Sequence, residues 1–363
     1  MRLADVDRET AVVFIPGSES QPPRAIYCVP TTVDDTTGFE QRDSETAITR
    51  QIATRSPTTA VGQHVTSVLA DQLESVADGQ LLLVAREIPH DTAVFLQQAG
   101  YELQSTAAVR NARASKTPAE RDSIAAVQAA ATDGMARAET VLAKSVQTDD
   151  GLAFEGRPLS AERLRQTINS ELAASGVSPA ANTRIETPAK ASSKGLAVGE
   201  PICIHLAPRG SQGYHGHLTR TLAVDSEGGW ERRAHVAVEA GLRAAARHIE
   251  PGVDIATVEG EIVAEVGAYG FAVGQPADRT QTRATASVHG VGLSTYERPT
   301  PAAGSTLHED AVVAVSAGVV DPTRGAVRVG TVRTITAEGS RRLVTYRSSL
   351  PPTEQGCTDS DRQ

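Results

Sequence analysis

The sequence predicts a mixed α/β (α+β) protein with two domains. Three observations point there. The chain has 363 residues, enough for two hydrophobic cores. Short apolar runs alternate with helical patterns from Met1 to about Ser115, the signature of a small α/β domain. The stretch from Gly199 to Asp225 then reads as a two-stranded hairpin, with long amphipathic helices before and after it.

In order along the chain, Ala11–Ile15 and Ala25–Val29 are apolar runs bounded by Gly and Pro, hence strands. Glu45–Thr54 and His64–Val76 carry apolar residues at helical spacing, and Leu81–Ala85 is a further strand. His90 to Gln98 forms a short helix closed by Gly100. Thr117, Pro118 and Glu120 make a capping box with proline in the first turn. Ile124, Val127, Ala131 and Met135 follow on one face of the helix. Ser160 opens another helix, with Leu164, Ile168 and Leu172 four residues apart and Gly176 at its end. Thr183 to Gly195 is polar and rich in breakers, so a loop is expected. Pro201–Leu206 and Tyr214–Val224 are the hairpin strands, joined through Pro208, Gly210 and Gly213. Trp230–Ile249 is a long helix halted before Pro251, and Asp254 caps the next, whose buried stripe is Ile255, Val258, Ile262 and Val266. The expected domains are residues 1–114 and 115–345, followed by a loose tail, 346–363.

Composition excludes several classes of function. The formal charge of −9 gives no general attraction to nucleic acid or an anionic membrane. No stretch is apolar for the ~18 residues a membrane span requires, and the N-terminus lacks the apolar core of a signal peptide. Cys28, Cys203 and Cys357 have neither metal-ligand nor disulfide spacing, which fits a reducing cytoplasm. Lysine occurs only at 116, 144, 190 and 194 beside an acidic surplus, a composition of halophilic or GC-rich origin.

Four motifs carry the functional reading. Gly213-Tyr214 and Thr219-Arg220-Thr221 lie on the hairpin, with His205 near the end of the first strand and His217 on the second. His289-Gly-Val-Gly-Leu293 runs on to Tyr296-Glu297-Arg298-Pro299. Ser316-Ala317-Gly318 ends an apolar strand, and Arg328-Val329-Gly330 lies on the next. In this order the motifs resemble those of the pita-bread metallopeptidases: Xaa-Pro aminopeptidases, prolidases and the related methionine aminopeptidases. The resemblance implies an N-terminal α/β domain followed by a pita-bread domain, a curved antiparallel sheet backed by helices.

It also implies five metal-ligand positions, occupied here by His205, His217, His289, Ser316 and Gly330. Only His289 keeps the family residue. The two hairpin positions are Asp in the family, and Ser316 and Gly330 replace Glu. Tyr296 replaces a His of the substrate cleft, Thr285 stands where another active-site His is usual, and Tyr296, Glu297 and Arg328 are the cleft candidates. The oxygen ligands of a dinuclear centre and its carboxylate base are therefore missing.

Two expectations follow. The first is a non-catalytic homologue with no cofactor, which binds a peptide or protein partner or pairs with a paralogue. The alternative is a metal-dependent Xaa-Pro peptidase or other hydrolase, with His205, His217 and His289 holding one zinc or other divalent ion, since three His plus water is a catalytic zinc set. A homodimer is expected on either reading. His215 should face away from the other two hairpin histidines, and His64, His90, His235, His248 and His308 read as surface or ordinary helix residues. Gly267–Gly274 lacks the context of a dinucleotide loop, and Glu250-Pro251-Gly252 reads as a helix-ending turn.

Overall fold

The computed structural model describes residues 10–17, 21–31, 48–72, 80–188, 195–274, 282–302 and 304–354. Cys357 and the end of the expected tail lie outside them. The chain divides into two compact units, Met1–Asn111 and Ala112–Gln363.

In the first unit, β1 (Ala11–Ile15) pairs antiparallel with β2 (Arg24–Pro30), and β2 pairs parallel with β3 (Thr49–Arg55). Helix α1 (Val61–Gln72), β4 (Leu81–Ala85), α2 (His90–Gln98), β5 (Glu102–Thr106) and α3 (Ala108–Ala112) follow, with β4 parallel to β5. Its core joins Ile26 and Cys28 of β2 to Val65, Val68 and Leu69 of α1. The helix expected over Glu45–Thr54 is corrected to strand β3, residues 45–47 lying outside the described set. Ile48 and Ile52 fit a helical spacing and a strand alternation equally well. Pairing with β2 decides, because it packs both against Ala25, Tyr27 and Val29.

The second unit opens with α4 (Pro118–Ala143), whose Thr117–Glu120 capping box is formed on both sides. A small β6 (Val146–Thr148), β7 (Gly151–Phe154), β8 (Arg157–Pro158) sheet follows, then α5 (Ala161–Ala174). The main sheet comprises β9 (Thr183–Glu186), β10 (Ile202–Leu206) and β11 (Leu218–Leu222), then β12 (Arg283–Gly290), β13 (Val312–Asp321), β14 (Gly325–Thr336) and β15 (Gly339–Arg342). Helices α6 (Trp230–His248) and α7 (Ile255–Ala268) lie between β11 and β12 in sequence.

The sheet is antiparallel throughout, in the order β12-β13-β14-β11-β10-β9, with β15 on β14. Its two halves have separate backing. Met135, Leu142, Leu164 and Ile168 of α4 and α5 share one core with Ile204 and Leu218. Val238, Val258 and Ile262 of α6 and α7 share another with Val288, Val315 and Val329. A Cβ on Gly241 would lie 3.0 Å from Val266, so glycine lets α6 and α7 approach closely.

Three more expectations change. The start of the loop expected over Thr183–Gly195 is strand β9, which borrows its regularity from the β10 backbone rather than from its own polar residues. The second hairpin strand is shorter than expected. His215 N–H donates to Gly292 O and Gly216 N–H to Pro208 O, so this part of the chain leaves the ladder. The tail is not loose at its start. Tyr346 is buried, its hydroxyl donates to Glu139 Oε1 at 2.8 Å, and Arg220 Nε donates to Arg347 O at 2.6 Å. Among the described residues no helix is long and apolar enough to cross a membrane.

Candidate functional site

Strand register brings the motif residues into one row. Across the sheet, Ser287 faces Ser316, Ser316 faces Gly330, Gly330 faces Thr219, Thr219 faces His205, and His205 faces Arg184. Residues opposite one another in a ladder project from the same face, so residues more than a hundred positions apart in sequence share one surface.

His205 Nδ1 lies 2.9 Å from Thr219 Oγ1, and His217 Nε2 lies 3.3 Å from Ser316 Oγ. His289 Nδ1 is 3.1 Å from Gly290 O. A carbonyl only accepts, so that nitrogen carries the proton and Nε2 keeps its lone pair. The His205 and His217 rings meet edge-on at 4.7 Å between centroids, His217 and His289 at 5.5 Å. Tyr296 covers His289 at 4.4 Å.

His217 is placed by α4. The Gln128 side chain accepts from its backbone N–H at 2.9 Å and donates to its carbonyl at 3.1 Å, standing in for a strand partner. Burial holds all three imidazoles in the neutral form. It lowers the His205 pKa from 6.5 to about 4, helped by the Arg184 charge. The His217 value falls well below 6.5 through burial and then through its two histidine neighbours, and burial lowers that of His289.

His205, His217, His289 and Tyr296 line a cavity of about 180 Å³ together with Ala207 and Thr295. Asn182 and Arg184 complete the wall, and neither stood out in the sequence. Arg184 belongs to the stretch expected as a loop and reaches the site through the pairing of β9 with β10, and Asn182, directly before that stretch, is held there by its bond to Ala207 O. His215 is buried but does not line the cavity; its Nδ1 is 3.4 Å from Ala207 O.

Ser316 and Gly330 sit side by side in the row. A Cβ on Gly330 would collide with Ser316 Oγ and lie 3.2 Å from Thr219 Cβ, so these two residues fill the space together. The dinuclear metal pair implied by the resemblance does not fit this set. Its four oxygen-ligand positions hold two imidazoles, a hydroxyl and a hydrogen atom, and the cavity wall contains no carboxylate. Among the described residues no group of three or more His, Cys, Asp or Glu side chains is arranged to hold a metal ion.

The other cleft candidates separate. Tyr296 is exposed at the cavity rim. Glu297 turns instead into a buried ion cluster, accepting from Lys116 Nζ at 2.8 Å and from Arg113 Nη2 at 2.5 Å. A Cβ at Gly292 would strike Glu297, and one at Gly290 would strike the Arg298 carbonyl, so the glycines of this motif make room for the turn. Arg328 pairs with Glu186 at 2.5 Å and its N–H donates to Thr221 Oγ1.

Comparison with known proteins agrees with this architecture. The family model described as metallopeptidase family M24 matches residues 122–337. An Xaa-Pro dipeptidase of Pyrococcus horikoshii is 28% identical over 165 residues, 44% of this chain and 44% of that protein. The match thus spans under half of the curated relative. Among solved structures, a prolidase from Pyrococcus horikoshii superposes with a TM-score of 0.67 at 19% identity, covering 90% of this chain and 86% of that one. An X-Pro aminopeptidase from Thermotoga maritima gives 0.71 at 14% identity, covering 92% and 88%. The fold is the pita-bread fold, and the chain belongs to metallopeptidase family M24.

Proposed function

We propose that this chain is a non-catalytic Xaa-Pro-peptidase-like protein that binds a peptide or protein partner. The observation that carries the reading is the Ser316–Gly330 pair. Where the family would place two carboxylates, a hydroxyl and a bare Cα pack against each other, leaving neither a bridging ligand nor a general base. The retained cleft offers a partner-binding surface. Cysteine usage supports a cytoplasmic setting, and we propose a homodimer or a pairing with a paralogue, to be read by light scattering.

The convergence of His205, His217 and His289 favours a second reading, a one-metal hydrolase. One assay separates the two: hydrolysis of Xaa-Pro dipeptides and tripeptides in Mn²⁺, Co²⁺ or Zn²⁺. The expected result is no turnover above background. Turnover that disappears in His289→Ala would establish the second reading, and a zinc-dependent rise in melting temperature lost in His205→Ala/His217→Ala would establish its metal site.

A further inference from the structure

Arg184 brings to the cavity wall a positive charge that no ion pair among the described residues offsets. It stands opposite His205 on β9, it is exposed, and among the described residues its guanidinium has no hydrogen bond or ion pair. Glu186, two residues along on the same face of the strand, is engaged by Arg328 at 2.5 Å. Among the described residues no Asp or Glu lines the cavity.

The wall is otherwise rich in donors. Asn182 uses Nδ2 to hold Ala207 O at 3.2 Å, which leaves its second N–H. The Tyr296 and Thr295 hydroxyls add donor capacity, and His205 and His217 can each present an N–H where the other ring nitrogen accepts from Thr219 or Ser316. Family peptidases hold cations at this centre through carboxylates; here the polarity is reversed.

We propose that the cavity is an anion site, in which Arg184 seats a carboxylate against the Asn182 amide and the imidazole edges. The proposal rests on the non-catalytic reading, since it fills the place of the metals with a ligand of opposite sign. One guanidinium fork matches one carboxylate in charge and in planar geometry. A phosphate dianion would leave a charge uncompensated. The volume of about 180 Å³ is below the ~300 Å³ at which drug-sized pockets begin, so the occupant is a carboxylate head with a short stem. An acidic side chain of a partner peptide and a free small acid both present that group.

The test uses the full chain at neutral pH and constant ionic strength. Thermal melts and imidazole nitrogen resonances are followed on adding glutarate, acetyl-Ala-Asp-Ala-amide, the matching Asn peptide, inorganic phosphate or zinc chloride. Glutarate or the Asp peptide should raise the melting temperature and shift the imidazole resonances, while the Asn peptide does neither. If glutarate acts alone the ligand is a free acid, and if the Asp peptide binds more tightly it is an acidic side chain. In Arg184→Gln the affinity should fall about ten-fold or more. It should persist in Arg165→Gln, which removes an exposed arginine paired to Glu162 on α5. Among the described residues the Arg184 side chain makes no hydrogen bond or ion pair that Arg184→Gln would break, so its ligand-free melt should stay close to that of wild type. Phosphate binding as tightly as carboxylate, affinity unchanged in Arg184→Gln, or a response to zinc alone would each overturn the site. Metal-dependent turnover of Xaa-Pro peptides would sink the non-catalytic reading. An inactive chain with no carboxylate response would sink the anion site alone.

Discussion

Two sets of motif residues lie close together in the second unit and differ in what they do. The first set matches the family pattern and binds backbone or closes packed turns. Arg220 donates to the carbonyls of Gly330, Tyr346 and Arg347, tying β11 to β14 and to the C-terminal segment. Thr221 both accepts from and donates to the Arg328 backbone. Glu297 neutralises Lys116 beneath Gly292. The second set, His205, His217, Ser316 and Gly330, departs from the pattern at the positions where the resemblance implies metal ligands. Of the residues that match the family pattern, Arg220, Thr221 and Glu297 are those whose loss would open the structure, whereas His289 lines the cavity. The changed ones would have served only the chemistry. Fold and reaction thus rest on separable groups of side chains within the same motifs.

The strongest way to break this contrast is Glu297→Ala. It would strand Lys116, whose side chain is 2% exposed, as an uncompensated buried charge. Removing one partner of a buried pair costs about 3–5 kcal/mol, so chemical denaturation should show a loss of that size. Lys116→Met/Glu297→Gln, which removes the charge, should recover much of it. A loss under ~1 kcal/mol for the single variant would mean that the cluster is no structural anchor.

The histidine set should make stability depend on pH. The His205 pKa is about 4 in the folded chain against 6.5 for a free histidine, and those of His217 and His289 are lowered too. Between the two values the unfolded chain binds more protons than the folded one. Stability should therefore be full above about pH 6.5, fall as the pH drops, and finish losing the His205 share near pH 4, at ~1.4 kcal/mol per pH unit for each ring. Melts from pH 7.5 to 4.5 would show this slope, and His205→Asn/His217→Asn should flatten it relative to wild type. Parallel slopes would indicate that the rings are hydrated and the cavity open.

How far the sequence carried depends on whether a feature is local. The Thr117 cap and the α5 and α7 stripes follow from neighbouring residues and appear as expected, and so does the hairpin pairing apart from its shorter second strand. Ile48 and Ile52 satisfied two periodicities, so β3 could not be separated from a helix without its partner β2. In the site, His289 was visible because it keeps a known pattern, and His205, His217, Ser316 and Gly330 because they interrupt it. Arg184, Asn182 and Gln128 were not. Each acts through a contact made by sheet pairing or by α4 packing, such as the Gln128 amide on His217 eighty-nine residues away. No spacing rule marks such residues.

Within the changed set, Gly330→Ala should be the sharper probe of packing. The added methyl would meet Ser316 Oγ and Thr219 Cβ, and overpacking of this kind costs about 1–3 kcal/mol. Ser316→Ala removes the hydroxyl, so Gly330→Ala should cost at least ~0.5 kcal/mol less in that background, measured as a double-mutant cycle. Strict additivity would mean that the two positions do not share one space.

The smallest effect should come from Tyr296, the residue directly before Glu297. The two neighbours fall on opposite sides of the contrast. Glu297 points inward to Lys116, whereas Tyr296 is 55% exposed and contributes one face to the His289 ring at 4.4 Å. An exposed aromatic contact of this sort is worth roughly 0.5 kcal/mol or a little more. Tyr296→Ala should therefore lower the melting temperature by only about 1–2 °C. Its local effect should still be clear, because an aromatic ring over an imidazole moves the imidazole proton resonances. The His289 signals should shift in Tyr296→Ala and stay close to wild type in Tyr296→Phe, which keeps the ring. A destabilisation approaching that of Glu297→Ala would show that Tyr296 belongs with the structural anchors and that the division drawn between the two residues is wrong.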